Sequence, residues 1–258
     1  MRPDFSAKGS TDHYDYSDRI GLQYDVTPDV NAYFTYSRGY KGPAYNVFFN
    51  MAQTDTGVLK PETNNSFEVG VKTSLLDNRV QANIAGFIED FSNYQANFAD
   101  EVAGALVTRL INAGSVSSSG VQASINAQPL RGLRLGANVI YDDAHIEQFN
   151  CPPQAATSCN VNGQPLPFAP RYKVVSNASY NLPINDEYDV RIASDYTWQS
   201  KTQDQLTETP DTIQPAYGIW DASLSLLNNA QQWRVSGVIK NITDQHYSNY
   251  LAYGDLAA

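Results

Sequence analysis

The sequence predicts an all-β fold in which about ten long strands follow one another as an antiparallel meander. Three observations support this prediction. Apolar and polar residues alternate at successive positions in many separate segments. Short turn-like connections alternate with long irregular ones along the chain. Several alternating segments are longer than the ~5–6 residues usual for strands of soluble sheets, and none shows the apolar stripe of an amphipathic helix.

The alternation gives each predicted strand one apolar side and one polar side, because successive side chains of a strand point in opposite directions. It is most complete in the segment Tyr188–Gln199. The apolar side there comprises Tyr188, Val190, Ile192, Tyr196 and Trp198, and the polar side comprises Asp189, Arg191, Asp195, Thr197 and Gln199. Similar runs lie at 20–26, 30–36, 67–71, 80–88, 133–142, 174–182, 220–226 and 233–239.

Tight turns at one end of a meander and long loops at the other are the layout of an outer-membrane barrel. Short turns are predicted at 27–29, 77–78, 129–132, 183–187 and 228–231, and long irregular connections at 40–61, around 98–113, at 149–170 and at 203–216. The predicted strands 80–97 and 133–149 exceed the ~9–11 residues that a tilted strand needs to cross the hydrocarbon. Tyr24, Trp198 and Trp233 are among the aromatic residues near strand ends, as in interfacial girdles. We therefore expect part of an outer-membrane barrel, or a small closed version of one.

Composition excludes several other classes of protein. The chain has 258 residues, with 17 Lys and Arg against 27 Asp and Glu, and a formal net charge of −10. This acidity argues against nucleic acid as a partner, since phosphate binding needs positive charge. No stretch of ~18 apolar residues is present, which excludes a transmembrane helix. The first residues lack the basic start and apolar core of a secretory signal, so we expect a cytosolic protein or an internal piece of a longer one.

The two cysteines, Cys151 and Cys159, lie in one loop-like stretch. In a cytosolic protein we expect both thiols to stay reduced, whereas in an envelope protein they would form a small disulfide that ties the loop. Two cysteines are too few for a metal site, and no further ligands lie nearby in the sequence.

Several short runs, in order between Tyr33 and Tyr247, resemble the TonB-dependent outer-membrane receptors. The most specific is the run at 240–247, with Lys240, Asn241, Thr243, Asp244 and Tyr247 at the matching positions. The other runs lie at 36–42, at 59–63 with 68–72, at 75–79, at 112–114 followed by 120–122, and at 166–171. We interpret these motifs as parts of the barrel wall rather than as ligand-binding chemistry.

The resemblance implies active uptake of a scarce nutrient, in the first place a ferric siderophore, across the outer membrane of a Gram-negative bacterium. It implies contact with outer-membrane lipid, and energy from a TonB complex that acts through a plug domain. Family transporters close a 22-stranded barrel, and residues 1–258 would hold roughly strands twelve to twenty-one, without signal peptide, plug and final strand. The polar side would then face the plug and the substrate path, with Arg134, Asn138, Asp189, Arg191 and Asp195 as members.

No catalytic or phosphate-binding motif occurs in the sequence, so we expect no enzyme, no cofactor and no metal site. His145 follows Asp142 and Asp143 at a predicted strand end, a His–Asp proximity that chance explains better than catalysis. The candidates for ligand contact in the predicted external loops are Tyr40, Lys41, Phe48, Phe49 and Arg109. The alternatives are a passive porin-like barrel, an outer-membrane barrel with an active site at its rim, and, less favoured, a soluble β-propeller binding module.

Overall fold

The structure, a computed structural model, describes residues 10–45, 57–102, 105–151, 159–206 and 208–251, with the backbone alone at 98–102 and 105–109. Strands make up most of this part of the chain. Their bounds are β1 Asp18–Thr27, β2 Val30–Lys41, β3 Ala44–Tyr45, β4 Val58–Leu59, β5 Glu62–Leu75, β6 Val80–Val102, β7 Ala105–Ala127, β8 Leu133–Phe149, β9 Tyr172–Pro183, β10 Tyr188–Gln199, β11 Thr202–Gln203, β12 Ile213–Gln214, β13 Tyr217–Asn228 and β14 Trp233–Ile239. One short 3₁₀ turn, Pro210–Thr212, precedes β12.

Ten of these strands form one antiparallel meander, in the order β1-β2-β5-β6-β7-β8-β9-β10-β13-β14. The remaining strands form two small ribbons, β3 with β4 and β11 with β12, inside the long connections. Within the described part of the chain, β1 pairs with β2 and β14 pairs with β13, and these two strands form the edges of the sheet. The predicted meander is confirmed, and the sheet is an open wall rather than a small closed barrel.

The predicted irregular connection around 98–113 is wrong. β6 and β7 instead continue as a hairpin of two 23-residue strands, paired as far as Val102 and Ala105. Apolar and β-branched residues persist through this segment, for example Val107, Thr108 and Ile111, and these residue types favour strand. The prediction also missed β7 as an alternating run, because Ser and Gly fill most of 114–120 and weaken the pattern.

One side of the sheet is apolar and exposed. Ile192 pairs with Tyr180 on β9 and with Leu224 on β13, and Ile192 and Leu224 are 55% and 58% exposed. Large exposed apolar side chains of this kind are unusual over so wide a surface of a soluble protein. We call this side the apolar face; its exposed members include Ile20, Leu22, Phe34, Val69, Ile84, Val121, Ile125, Leu135, Val139, Ile192, Leu224, Leu226, Val235 and Ile239.

The opposite side, the polar face, carries hydrogen bonds between strands. Gln122 Nε2 donates to Glu68 Oε2 at 3.3 Å, across the intervening strand β6. Arg191 Nη2 donates to Ser179 Oγ, also at 3.3 Å. The register places all the residues predicted for this side on it, namely Arg134, Asn138, Asp189, Arg191 and Asp195.

Aromatic rings pair on the apolar face near both ends of the strands. Tyr188 and Trp233 lie with ring centroids 6.1 Å apart at the end with the short turns. Tyr141 and Tyr172 pair at 5.1 Å, toward the other end of the strands. This distribution agrees with the predicted girdles, since rings with polar tips suit the two edges of an apolar band. None of the described residues forms a helix that is both long and apolar enough to cross a membrane.

Candidate functional site

The long connections and the residues after Ile239 gather at one end of the sheet, which we call the loop end. The opposite end carries the short turns, such as Thr27 to Val30 and Pro183 to Tyr188. Because a meander reverses direction at every strand, alternating connections must fall at opposite ends. The loop end is therefore the place where side chains from distant segments meet, and it is the candidate site for recognition.

Of the predicted ligand-contact residues, the structure describes Tyr40 and Lys41 in full and Arg109 by its backbone alone, on two strands that are not neighbours in the sheet. Tyr40 and Lys41 lie at the end of β2, where Lys41 Nζ is 3.9 Å from Glu62 Oε2. Arg109 lies in β7, opposite Phe98 in the hairpin and not in an irregular loop. In the sheet, β5 and β6 separate β2 from β7. Phe48 and Phe49 lie outside the described residues.

A small apolar core lies at the loop end, where a loop folds back along β8. Leu166 N donates to Ala144 O at 2.9 Å, and Gly163 N donates to Ile146 O at 2.7 Å. The returning chain covers an apolar cluster between β7 and β8. Its buried members are Ala113, Ile146, Phe149, Cys159 and Val161.

The two cysteines differ in environment. Cys159 is buried in this apolar core, whereas Cys151 is exposed. The segment between them, 152–158, lies outside the described residues. The disulfide between Cys151 and Cys159 stays a prediction.

Two side-chain amides fasten the connection between β2 and β5 onto the β6–β7 hairpin. Gln95 Nε2 donates to Gly42 O at 2.9 Å and to Lys60 O at 3.0 Å. Asn112 Oδ1 accepts from Lys60 N at 2.7 Å, and Asn112 Nδ2 donates to Lys60 O at 2.9 Å. The side-chain amide of Asn112 thus accepts from and donates to the backbone of Lys60, as the backbone of a neighbouring strand would. Both residues belong to runs that carry the family resemblance.

The run at 240–247 forms a turn whose side chains make hydrogen bonds within the run and a ring contact with β13. Asn241 Oδ1 accepts from Gln245 N at 2.9 Å, while Asn241 Nδ2 donates to Gln245 O at 3.1 Å. The φ values of Asn241 and Asp244 are 49° and 48°, a left-handed conformation that Asn and Asp tolerate better than most residues. Tyr247 stacks on Tyr217 with centroids 4.6 Å apart. The other two motif residues, Lys240 and Thr243, are exposed.

The segment that precedes β1 is tied to β2 near the loop end. Arg38 Nη1 donates to Asp15 Oδ1 at 2.7 Å and to Tyr16 O at 2.6 Å. The hydrogen bond from Arg38, followed by that from the Tyr16 N–H, lowers the pKa of Asp15 below its usual value. The carboxylate is therefore charged at neutral pH, and this tie weakens only when acid protonates it.

A cavity of about 340 Å³ opens at the loop end, between β8, β9 and the connection that follows β10. Its charged lining comprises three carboxylates, Asp142, Asp143 and Glu208, and two cations, Arg171 and Lys201. Arg171 Nη2 donates to Asp143 Oδ1 at 2.6 Å, and Lys201 Nζ lies 3.9 Å from Glu208 Oε1. Sequence reasoning missed the cavity because its lining comes from three separate segments. The signals near it were the run at 166–171 and the Asp142–Asp143 pair beside His145.

His145 does not form the pair with Asp142 or Asp143 that was considered from the sequence. Its Nε2 lies 3.0 Å from Glu147 Oε1, and its Nδ1 lies 3.4 Å from the backbone oxygen of Asp143. Within the described ranges, no group of three or more His, Cys, Asp or Glu side chains is arranged to hold a metal ion.

A family model described as "TonB dependent receptor-like, beta-barrel" matches residues 2–242, which is most of the chain. The chain belongs to the TonB-dependent receptors. The family resemblance found in the sequence is therefore confirmed, and the meander is part of a receptor barrel. The family consists of transport receptors rather than enzymes, and its members are outer-membrane proteins of Gram-negative bacteria.

Solved receptors of this family share the fold of the chain. The ferric yersiniabactin uptake receptor FyuA from Yersinia pestis superposes with a TM-score of 0.73 at 19% identity, over 92% of this chain and 34% of that one. The siderophore receptor PiuA from Acinetobacter baumannii gives 0.67 at 18% identity, over 89% and 32%. The copper transporter OprC gives 0.66 at 13% identity, over 90% and 34%. The TonB-dependent receptor chain thus spans about a third of the length of these structures.

Proposed function

We propose that this chain forms part of the barrel wall of an outer-membrane receptor that takes up a ferric siderophore. The observation that carries the proposal is the open ten-stranded sheet, with one exposed apolar face, one polar face and all long connections at one end. In this proposal residues 1–258 are a C-terminal portion of the barrel, and the remaining wall, the plug, the signal peptide and the final strand belong to other parts of the protein.

The apolar face is proposed to contact outer-membrane lipid. Side chains such as Leu224 and Ile192 are more than half exposed on it, and water contact with apolar surface costs about 25 cal/mol per Å². A hydrocarbon environment removes this cost without a second protein layer. The inner strands satisfy their backbone hydrogen bonds with one another, as spanning a bilayer requires, and the edge strands β1 and β14 would pair with the remaining wall of the barrel.

The polar face is proposed to face the plug and the substrate path. Its side chains include charges of both signs, for example Arg191 and Asp195, which suit contact with water or with another polar domain. Energy is proposed to come from a TonB complex at the inner membrane, acting through the plug. The wall itself then supplies a rigid, hydrogen-bonded frame rather than a moving part.

Iron–siderophore complexes are proposed as cargo because this fold is shared with several receptors for them. FyuA is a ferric yersiniabactin receptor and PiuA is a siderophore receptor by their names. OprC transports copper, so the fold by itself also accommodates a different metal cargo. Selection of the cargo is proposed to reside in the loop end, where Tyr40, Lys41, Phe48, Phe49 and Arg109 remain candidates for ligand contact.

The test is uptake of radioactive iron by bacteria that differ only in the gene for this protein. Ferric enterobactin, ferric yersiniabactin and ferrioxamine serve as separate probes, with copper(II) as a further arm. We expect uptake of at least one ferric complex to depend on the gene and to stop when a protonophore removes the energy source.

Two outcomes would contradict the proposal. Gene-dependent uptake that a protonophore leaves unchanged would indicate a passive pore. Uptake of copper(II) alone, with no gene-dependent uptake of any ferric complex, would exclude siderophore import.

A further inference from the structure

Two aromatic side chains lie next to each other on the surface of the loop end. Phe168 belongs to the connection between β8 and β9, and Tyr250 belongs to the segment that follows β14. Their ring centroids are 6.1 Å apart and the ring planes are inclined by 25°, which is a stacked arrangement. The two residues are 56% and 59% exposed. Ring surface on both therefore remains open to a ligand.

The backbone of Phe168 adopts a conformation that phenylalanine disfavours. Its φ is 61°, in the left-handed region. Ala169 N donates to Leu166 O at 3.3 Å and closes a turn with Pro167 and Phe168 at its centre, while Phe168 N donates to Gln203 O at 2.9 Å. A turn with positive φ at its third residue favours glycine or asparagine, and a bulky residue there strains the backbone. Neither the turn nor burial explains why the residue is a phenylalanine.

Tyr250 is held in place by backbone hydrogen bonds on both sides of it. Leu251 N donates to Asp204 Oδ2 at 2.7 Å, and Ser248 N donates to Gln214 Oε1 at 2.9 Å. Both acceptor residues are buried, so they provide fixed attachment points. The aromatic pair is therefore ordered before a ligand arrives, which lowers the entropy that binding must remove.

An exposed and ordered aromatic pair favours a ligand that itself carries an aromatic ring. Aromatic rings attract one another in offset-stacked and edge-to-face arrangements, in addition to the effect of the area that they bury. Catechol and phenol groups are such rings, whereas an aliphatic hydroxamate has none. Among ferric siderophores, the pair would therefore favour complexes with catechol or phenol groups over complexes with aliphatic hydroxamates.

We propose that Phe168 and Tyr250 bind an aromatic ring of the cargo, and that the cargo is a ferric siderophore with catechol or phenol groups. This inference rests on the proposed import of a ferric siderophore and names its chemical class. The strained turn then has a functional reason, because strained backbone is often retained where it places a side chain for binding.

The experiment measures equilibrium binding of radioactive ferric complexes to bacteria that carry or lack the complete gene for this protein. A protonophore is present throughout, so that binding is separated from uptake. Ferric enterobactin, with catechol groups, and ferric yersiniabactin, with a phenol group, are the aromatic probes. Ferrioxamine is the hydroxamate probe without an aromatic ring. We expect gene-dependent binding of at least one aromatic complex.

Two variants remove the rings one at a time. Phe168→Gly removes the first ring and suits the positive φ of the turn. Tyr250→Leu removes the second ring from a different segment. Each is expected to weaken binding of the aromatic complex about tenfold, as loss of a stacking partner requires. Thermal unfolding of Phe168→Gly should change little, since relief of the strained φ offsets the lost ring contact.

Two further variants are controls. Phe168→Tyr retains a ring at the same position and should retain the affinity of the parent protein. Tyr14→Leu makes the same substitution as Tyr250→Leu at a tyrosine that is 96% exposed and lies outside the pair, so the affinity should not change. The amount of each variant in the outer membrane is measured alongside binding.

Three outcomes would overturn this inference and leave import of a ferric siderophore intact. The first is gene-dependent binding of ferrioxamine alone. The second is unchanged affinity of Phe168→Gly for the aromatic complex, whether or not Tyr250→Leu folds. The third is an equal loss of affinity for ferrioxamine in that variant, because ring stacking could not then be the cause. Binding of none of the three complexes would instead contradict the proposed function itself.

Discussion

Gly120 on β7 lies where any side chain would meet the backbone of the next strand. A Cβ at this position would overlap Tyr141 O and would lie 3.0 Å from the ring of Phe87. Tyr141 O belongs to the strand β8, so relief requires β7 and β8 to move apart. We expect Gly120→Ala to lower the free energy of unfolding by about 1–3 kcal/mol, the usual cost of overpacking. Urea unfolding of the protein in vesicles measures it.

Gly86 on the neighbouring strand β6 provides the matched control. A Cβ there would come no closer than 3.8 Å to Gly120 O, which is ordinary contact. Gly86→Ala should therefore leave the free energy of unfolding unchanged or raise it slightly, since alanine restricts the unfolded chain. Equal effects of the two substitutions would contradict the close approach at Gly120.

Asn241 combines a left-handed backbone with two side-chain hydrogen bonds to Gln245. Asn241→Ala loses both bonds and puts a residue less suited to positive φ in the turn. We expect a local cost of about 1–3 kcal/mol. Hydrogen exchange at the amide of Gln245, which donates to Asn241, reports it directly.

Asn241→Gly separates the two contributions. Glycine keeps the positive φ without strain but cannot make the side-chain bonds. In Asn241→Gly, the rate of hydrogen exchange at the Gln245 amide should lie between the rates in the parent protein and in Asn241→Ala. If alanine and glycine gave the same exchange rate, the backbone conformation would contribute nothing.

At the scale of elements, the β6–β7 hairpin is the support for the loop end. Its strands are 23 residues long, against 12 for β9 and β10, and the connection between β2 and β5 rests on it through Gln95 and Asn112. Apart from the small apolar core around Ala113, the long hairpin has no second layer to hold it, because the sheet is a single layer. The side-chain amides therefore supply part of the attachment that a core would otherwise provide.

Asn112→Ala is expected to release the connection from the hairpin without unfolding the sheet. It removes the bonds from Lys60 N, to Lys60 O and to Asn93 O. Because each bond contributes about 1 kcal/mol, the hydrogen-exchange rate of the Lys60 amide should rise by about tenfold or more. Hydrogen exchange followed by mass spectrometry measures it.

Asn112→Asp retains an acceptor for Lys60 N, but its second carboxylate oxygen would face Lys60 O and Asn93 O in place of the amide donor. The connection should therefore be released in this variant too, with Lys60 exchange well above that of the parent protein. Amides at the centre of β6, such as that of Ala85, should not change in either variant. A general rise in exchange across the sheet would contradict a local attachment.

At the scale of the whole molecule, the two faces of the wall should respond oppositely to the same charge. Leu224 lies on the apolar face and the adjacent Ser223 lies on the polar face. If lipid covers the apolar face, Leu224→Arg should cost about 2–4 kcal/mol near the bilayer midplane, whereas Ser223→Arg should cost little. Urea unfolding in phosphatidylcholine vesicles, with the two variants compared side by side, measures the difference.

A similar cost for both arginines, whether large or small, would contradict the assignment of one lipid-facing and one polar face, because the two faces would then not differ in environment. A larger cost at Ser223 would reverse the faces. Ser223→Arg is thus both the control for the introduced charge and a test of the polar face.

Much of the wall was predictable from local pattern. The structure confirms Leu133–Phe149, Tyr188–Gln199 and Trp233–Ile239 as strands with the predicted bounds. The alternation of apolar and polar residues predicts on which face of the sheet each side chain lies. It can be seen among neighbouring residues of the sequence. The same reasoning failed at β7, where Ser and Gly in 114–120 leave no contrast between the sides. It also failed at the tip of the β6–β7 hairpin, where a strand continues beyond the apolar band.

The sequence by itself therefore determined the meander, the two faces and the family, because a period of two and short ordered motifs need no knowledge of distant contacts. Only the tertiary structure decided that the sheet is open, that Asn112 pairs with Lys60, and that Gln203 shares a cavity with Arg171. These features depend on which loops meet at one end of the wall. Which loops come into contact is set by strand register and by contacts between residues that are far apart in the sequence. No local sequence pattern records either of these.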